Sequence, residues 1–122
     1  VTAPQIKARW GNRLEKSADL LEEALDLTGK QLQRLDKMSK QYAFEYEIFL
    51  LHPEQDIING SNVKTLQHLN RISPKPLIET AQLFKDNPSS YYFRYDRHFN
   101  ARGTKTIADF LLSRERVRRS VQ

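Results

Sequence analysis

Apolar side chains recur at helical spacing from about residue 12 to residue 42: Leu14, Ala18, Leu21 and Leu25, then Leu32, Leu35, Met38 and Tyr42. The pattern predicts amphipathic helices. Thr28 stands where an apolar residue is due and Gly29 follows it, and glycine inside a helix costs about 1 kcal/mol. The segment is therefore either two helices, 12–27 and 30–43, or one long helix with a weak centre. Asn12 reads as a helix N-cap, and residues 1–11 as an arm anchored by Trp10, the single tryptophan. Leu14, Ala18, Leu21, Leu25, Leu32 and Leu35 also fit a heptad register that permits coiled-coil pairing. With fewer than four clean heptads, packing of the stripe onto a sheet is the preferred reading.

The next apolar run, Tyr46-Glu47-Ile48-Phe49-Leu50-Leu51, is stopped by His52-Pro53 and reads as a buried strand, because proline cannot continue a ladder. A helix leading into such a strand has the rhythm of a β-α-β crossover, which makes the chain α/β. Residues 53–76 are rich in turn formers, with Asn59-Gly60-Ser61-Asn62 and Ser73-Pro74-Lys75-Pro76 the clearest signals. Between them Val63, Leu66, Leu69 and Ile72 recur every third residue, enough for a short helix. Leu77-Ile78-Glu79-Thr80 suggests a brief strand, then a helical turn through Leu83 and Phe84 that stops at Asp86-Asn87-Pro88. Tyr91 to Tyr95 is aromatic enough for a strand covered on both faces. Asn100 then caps a final helix with Ile107, Ala108, Leu111 and Leu112 on its inner face, its side-chain oxygen accepting from the amide of Arg102 or Gly103.

The chain has 122 residues, room for one domain unit with a modest core. Within it, residues 12–43 are helical, 44–113 hold strands, loops and the last helix, and 114–122 form a basic tail. No window approaches 18 consecutive apolar residues, so no membrane segment is expected in these residues. The absence of cysteine removes disulfides, thiolate nucleophiles and cysteine metal sites. The net charge of +5 raises the question of nucleic acid. Much of that excess lies in Arg114, Arg116, Arg118 and Arg119, and a short basic end reads as solvated, so nucleic-acid binding is not expected. His52, Asp56, His68 and His98 show no metal-ligand spacing, and neither a metal nor a cofactor is expected.

The chemistry concentrates at Asp96 and His98. Residues two apart in an extended or turning backbone project to one side, so the Asp96 carboxylate is placed to accept the Nδ1 proton of His98. That bond would fix the tautomer and leave Nε2 to take a proton from a nucleophile, with the carboxylate stabilising the imidazolium. The pair lies between an aromatic segment and a capped helix, where α/β folds carry functional loops. His52, at the end of the first strand, either lines the same site or is a structural hydrogen-bonding residue. The aromatic residues 91–95 with Arg94 and Arg97 offer a stacking platform for a sugar or a base, although a covered strand is preferred.

The run Tyr95-Asp96-Arg97-His98-Phe99-Asn100-Ala101-Arg102-Gly103, followed by Ile107-Ala108-Asp109-Phe110-Leu111-Leu112, resembles the last conserved block of the SGNH (GDSL-like) hydrolases. In that family the block supplies the acid and the base on a loop before the final helix, and Gly103 matches its helix glycine. The Asp-x-His spacing is closer to a variant found in sugar O-acetyltransferase-like and related bacterial members than to the commoner Asp-x-x-His. Glu47 to Ile57 resembles the family strand that ends in proline, and Leu77 to Phe84 its short strand and turn, so the resemblance extends over residues 30–113. It implies a partial three-layer, flavodoxin-like fold with few parallel strands flanked by helices.

Functionally it implies a serine ester hydrolase or O-acyltransferase with Asp96 and His98 as catalytic residues. The substrate would be an acyl ester, and the resemblance to the O-acetyltransferase-like variant implies acetylated carbohydrate. The family's Gly-Asp-Ser nucleophile block is absent, Gly60-Ser61 reads as a surface turn, and Gly11-Asn12 is a poor match for the asparagine block. The chain is therefore expected to be the carboxy-terminal half of a longer polypeptide whose amino-terminal half brings the serine, and to be inactive alone. An exposed edge at residues 46–51 would favour a homo-oligomer. The other reading is a non-catalytic interaction or assembly module with an SGNH-like carboxy-terminal half.

Overall fold

The computed structural model describes residues 3–121, with side chains from 18 to 120. Helix α1 runs unbroken from Ala3 to Tyr42, 40 residues or about 60 Å of helix. The weak centre is thus not a break. Gly29 lies against the end of helix α3 (Asn62–Ile72), where an added Cβ would sit 3.4 Å from Ile72 Cβ. The glycine lets two helices approach, which offsets its poor helix propensity. From Ala3 onward the expected amino-terminal arm is helix, and Asn12 lies inside that helix rather than at its cap. The expected anchoring role of the Trp10 side chain lies outside the described residues.

Helix α1 ends through Ala43, which takes the left-handed conformation at φ 54°, and the Phe44 amide donates to the Ser39 carbonyl at 3.0 Å. That six-to-one bond closes the last turn. Beyond it the Tyr46 hydroxyl donates to Asp36 Oδ1 at 2.7 Å, and Lys75 Nζ lies 4.1 Å from the Tyr46 ring centroid. The Tyr46 hydrogen bond, then Lys40, hold the Asp36 carboxyl below its usual range, while burial and then Asp36 push Tyr46 up to about 12.

The chain divides into two compact units: the residues through Tyr46 with His68–Pro76, and Glu47–Gln67 with the residues from Leu77 onward. In the second, β1 (Phe49–Leu50) and β2 (Ile78–Glu79) pair in parallel, Phe49 opposite Ile78 and Leu50 opposite Glu79. This is α/β in the coarse sense. Among the described residues the sheet has these two strands, each of two residues, so the predicted strand 46–51 contracts to Phe49–Leu50 in its second half. Helix α2 (Glu54–Asn59), not anticipated, starts directly after Pro53, and Gly60 ends it at φ 79°.

No strand forms over residues 91–95. A 3-10 turn at Pro88–Tyr91 leads to a single antiparallel bridge, Tyr92 to Phe99. Tyr91 and Tyr92 are buried, but Phe93, Arg94 and Tyr95 are exposed, which corrects the expectation of two covered faces. The core comprises Ile57, Ala81, Phe84, Tyr91 and Tyr92, with Leu83, Phe99 and Ile107 against it. Phe84 meets the Tyr91 ring edge-on at 5.0 Å, and Tyr92 stacks on Phe99 at 4.8 Å. Helix α4 (Ala101–Val121) absorbs most of the predicted basic tail as its last turns. Its inner face is Gly103, Ile107, Phe110 and Arg114, whereas Ala108, Leu111 and Leu112 are exposed, a rotation of the predicted stripe. Phe110 meets Phe49 edge-on at 6.1 Å and Arg114 pairs with Glu47 at 2.8 Å. No helix among the described residues is long and apolar enough to cross a membrane.

Candidate functional site

The loop from Tyr92 to Asn100 is closed at its base and open at its tip. Besides the Tyr92–Phe99 bridge, the Phe93 amide donates to the His98 carbonyl at 2.8 Å and the Arg97 amide to the Phe93 carbonyl at 3.3 Å. Asn100 joins this base to α4. Its Nδ2 donates to the Ser90 carbonyl at 2.9 Å, and its Oδ1 accepts from the Gly103 amide at 3.0 Å, the cap anticipated from sequence. Gly103 has a stricter requirement than helix geometry, because an added Cβ would strike the Tyr91 carbonyl oxygen and approach Phe99 Cδ1 to 2.8 Å.

Beneath the loop the Tyr92 hydroxyl donates to the His52 carbonyl at 2.7 Å, just past the carboxyl end of β1. The loop is therefore tethered to the edge of a parallel sheet where α/β folds place ligands. Burial, then the negative charges of Glu54 and Asp56, push the Tyr92 phenol up to about 12, so it stays protonated and keeps donating.

At the tip, Asp96 and His98 stand side by side and exposed, with side chains 62% and 86% accessible. Asp96 Oδ1 lies 3.8 Å from His98 Nδ1, too far for a hydrogen bond. The carboxylate instead accepts the His98 backbone amide at 3.0 Å, a turn-forming contact that keeps the two residues adjacent. The sequence-predicted pair is brought together, but its orienting bond is not formed. Arg97 between them takes φ 61°, a left-handed conformation unusual for arginine.

His52 is buried, and its Nε2 bonds Glu79 Oε1 at 2.6 Å. The same oxygen accepts from the amides of Thr80 at 2.8 Å and Ala81 at 3.0 Å, and the Thr80 hydroxyl donates to the Leu50 carbonyl at 2.7 Å. Glu79 Oε2 is buried without a hydrogen-bond partner. A carboxylate requires the proton on Nε2, so that nitrogen is occupied as a donor and His52 ties the strand ends together. Glu79 and Thr80 carry this junction, and neither stands out in sequence, since their partners lie 27 and 30 residues away. The Ser61 hydroxyl donates to Asp56 at 2.9 Å and its amide to Asn59 Oδ1, the bonds of a turn. Among the described residues no cluster of three or more His, Cys, Asp or Glu is arranged to hold a metal ion.

Compared with known proteins, the chain matches no family model, no curated protein and no solved structure.

Proposed function

We propose that the loop Tyr92–Asn100 supplies the acid and base of a serine acyl-transfer site of SGNH type, an ester hydrolase or O-acyltransferase. His98 is the general base and acid, and Asp96 its orienter. The observation carrying this reading is the presentation of both side chains, adjacent and accessible, at the tip of a loop anchored beside the carboxyl ends of two parallel strands. The resemblance of residues 91–112 to the last SGNH block supports the same roles, and a three-layer flavodoxin-like domain is the fold that goes with them. Here Nδ1 and Oδ1 are 3.8 Å apart, so the proposed orienting bond requires the exposed imidazole to turn toward the carboxylate. On this reading the nucleophile is a serine other than Ser61, whose hydroxyl is held in its turn by Asp56 rather than by a histidine.

The test is hydrolysis of p-nitrophenyl acetate by the whole gene product. His98→Ala is expected to lower kcat/KM by about 10³-fold or more with an unchanged far-UV spectrum. Full activity in that variant rejects the assignment. The 122-residue chain by itself is expected to show no esterase turnover.

Leu111, Leu112 and Val117, exposed along α4, favour a second reading as an assembly module. Asp96 and His98 would then be dispensable, so the same variant separates the two. Self-association through the free side of β1 belongs with either reading, since among the described residues β1 has a ladder partner on one side. Light scattering is expected to show species larger than a monomer; a monomer at every concentration removes the edge-pairing proposal.

A further inference from the structure

The His52 carbonyl, which accepts the Tyr92 hydroxyl, lies past the end of β1 and outside the parallel ladder. The His52 side chain anchors that point of the chain. Its imidazole is 1% accessible and donates Nε2–H to Glu79 Oε1 at 2.6 Å. The same oxygen gathers the amides of Thr80 and Ala81, and the Thr80 hydroxyl closes back on the Leu50 carbonyl. One carboxylate oxygen thus holds both strands where they leave the sheet. Stability alone does not favour a glutamate here, because its second oxygen, Oε2, is buried without a hydrogen-bond partner, and an unsatisfied buried acceptor is destabilising. On the far side of His52, Tyr92 bridges to Phe99 through its backbone and stacks on the Phe99 ring at 4.8 Å, and Phe99 follows His98 directly.

We infer that Glu79 is a positioning residue for the candidate site: through the His52 ring and carbonyl and the Tyr92 hydroxyl, it sets where the loop presents His98. On the acyl-transfer reading, on which this inference rests, Glu79 holds the base rather than the ester. Its removal therefore slows the chemical step and leaves substrate binding alone. The role requires an acceptor for three donors, which a glutamine oxygen also supplies and an aliphatic side chain does not. Were Glu79 confined to the strand junction, its loss would lower stability with the loop unmoved.

The experiment pairs NMR of the isotope-labelled 122-residue chain with p-nitrophenyl acetate hydrolysis by the whole gene product. Glu79→Leu is expected to shift the Phe99 ring signals and the amides of residues 93–98, whereas Glu79→Gln is expected to leave them in place. Tyr92→Phe breaks the same route at its other end while keeping the ring in the core, and it carries the prediction if Glu79→Leu does not fold. In hydrolysis, Glu79→Leu and Tyr92→Phe are each expected to lower kcat by about tenfold or more with KM unchanged. The double variant is expected to lose no more than the larger single loss, because two breaks in one route count once. Loop signals that stay in place in Glu79→Leu and Tyr92→Phe, a raised KM instead of a lowered kcat, or losses that multiply in the double variant would overturn the inference. Full activity in His98→Ala rejects the acyl-transfer reading instead, and the loop signals then still decide whether Glu79 sets the loop.

Discussion

Gly103 shows how a single residue constrains the candidate site. A helix position near the amino terminus would ordinarily gain about 1 kcal/mol from alanine in place of glycine. Here the methyl group would meet the Tyr91 carbonyl and the Phe99 ring, and the carbonyl belongs to backbone held by the Asn100 amide at 3.0 Å. Gly103→Ala is expected to destabilise the protein by about 1–3 kcal/mol. Urea denaturation measures this, and a variant as stable as the parent would mean that α4 can slide. The His98 position differs in kind: its exposed side chain carries little packing, which makes His98→Ala a clean probe of chemistry.

Among the elements, α1 ends at a position with a removable penalty. Ala43 occupies the left-handed site that closes the helix, where glycine is the usual residue. Ala43→Gly is expected to stabilise the chain by about 1 kcal/mol, read as a rise in thermal midpoint; a fall would show that the turn relies on the methyl group. The elements also divide by how far they could be read from sequence. The final helix and its Asn100 cap were legible because their determinants lie within four residues of one another, as was α3 from its three-residue spacing. Whether Gly29 breaks the first helix stayed open in the sequence, because the reason for the glycine, the approach of Ile72, comes from 43 positions away. The aromatic segment misled in the opposite sense. Tyr91 and Tyr92 bury as aromatic residues do, yet the next six face solvent, and β propensity alone does not distinguish a strand from a closed loop. The adjacency of Asp96 and His98 was readable from their spacing, and a structural hydrogen-bonding role was one reading of His52, but its partner Glu79 was not legible because it lies 27 positions away.

For the molecule as a whole, alkali is the informative perturbation. Tyr46 and Tyr92 each have a phenol pushed up to about 12 from an ordinary value near 10. The folded state therefore holds these protons more tightly than the unfolded chain does. Their contribution is complete below about pH 10 and is lost as pH rises from there through about 12. Unfolding free energy is expected to fall across that interval. Tyr92→Phe is expected to cost about 1 kcal/mol at neutral pH through the lost bond to the His52 carbonyl, and to flatten the alkaline decline. An unchanged slope would mean that the phenol is not held in its neutral form.

The bond between the Gly103 amide and Asn100 Oδ1 also supplies a kinetic reporter. Most protected amides in a helix exchange when the helix frays, but this one has a side chain as its acceptor. Its exchange in deuterated solvent therefore measures how often the Asn100 side chain leaves its seat, an opening that also releases the Ser90 carbonyl beside the base of the loop. A single proton thus times the loop that carries Asp96 and His98, and any ligand gripping the loop's tip should slow its exchange.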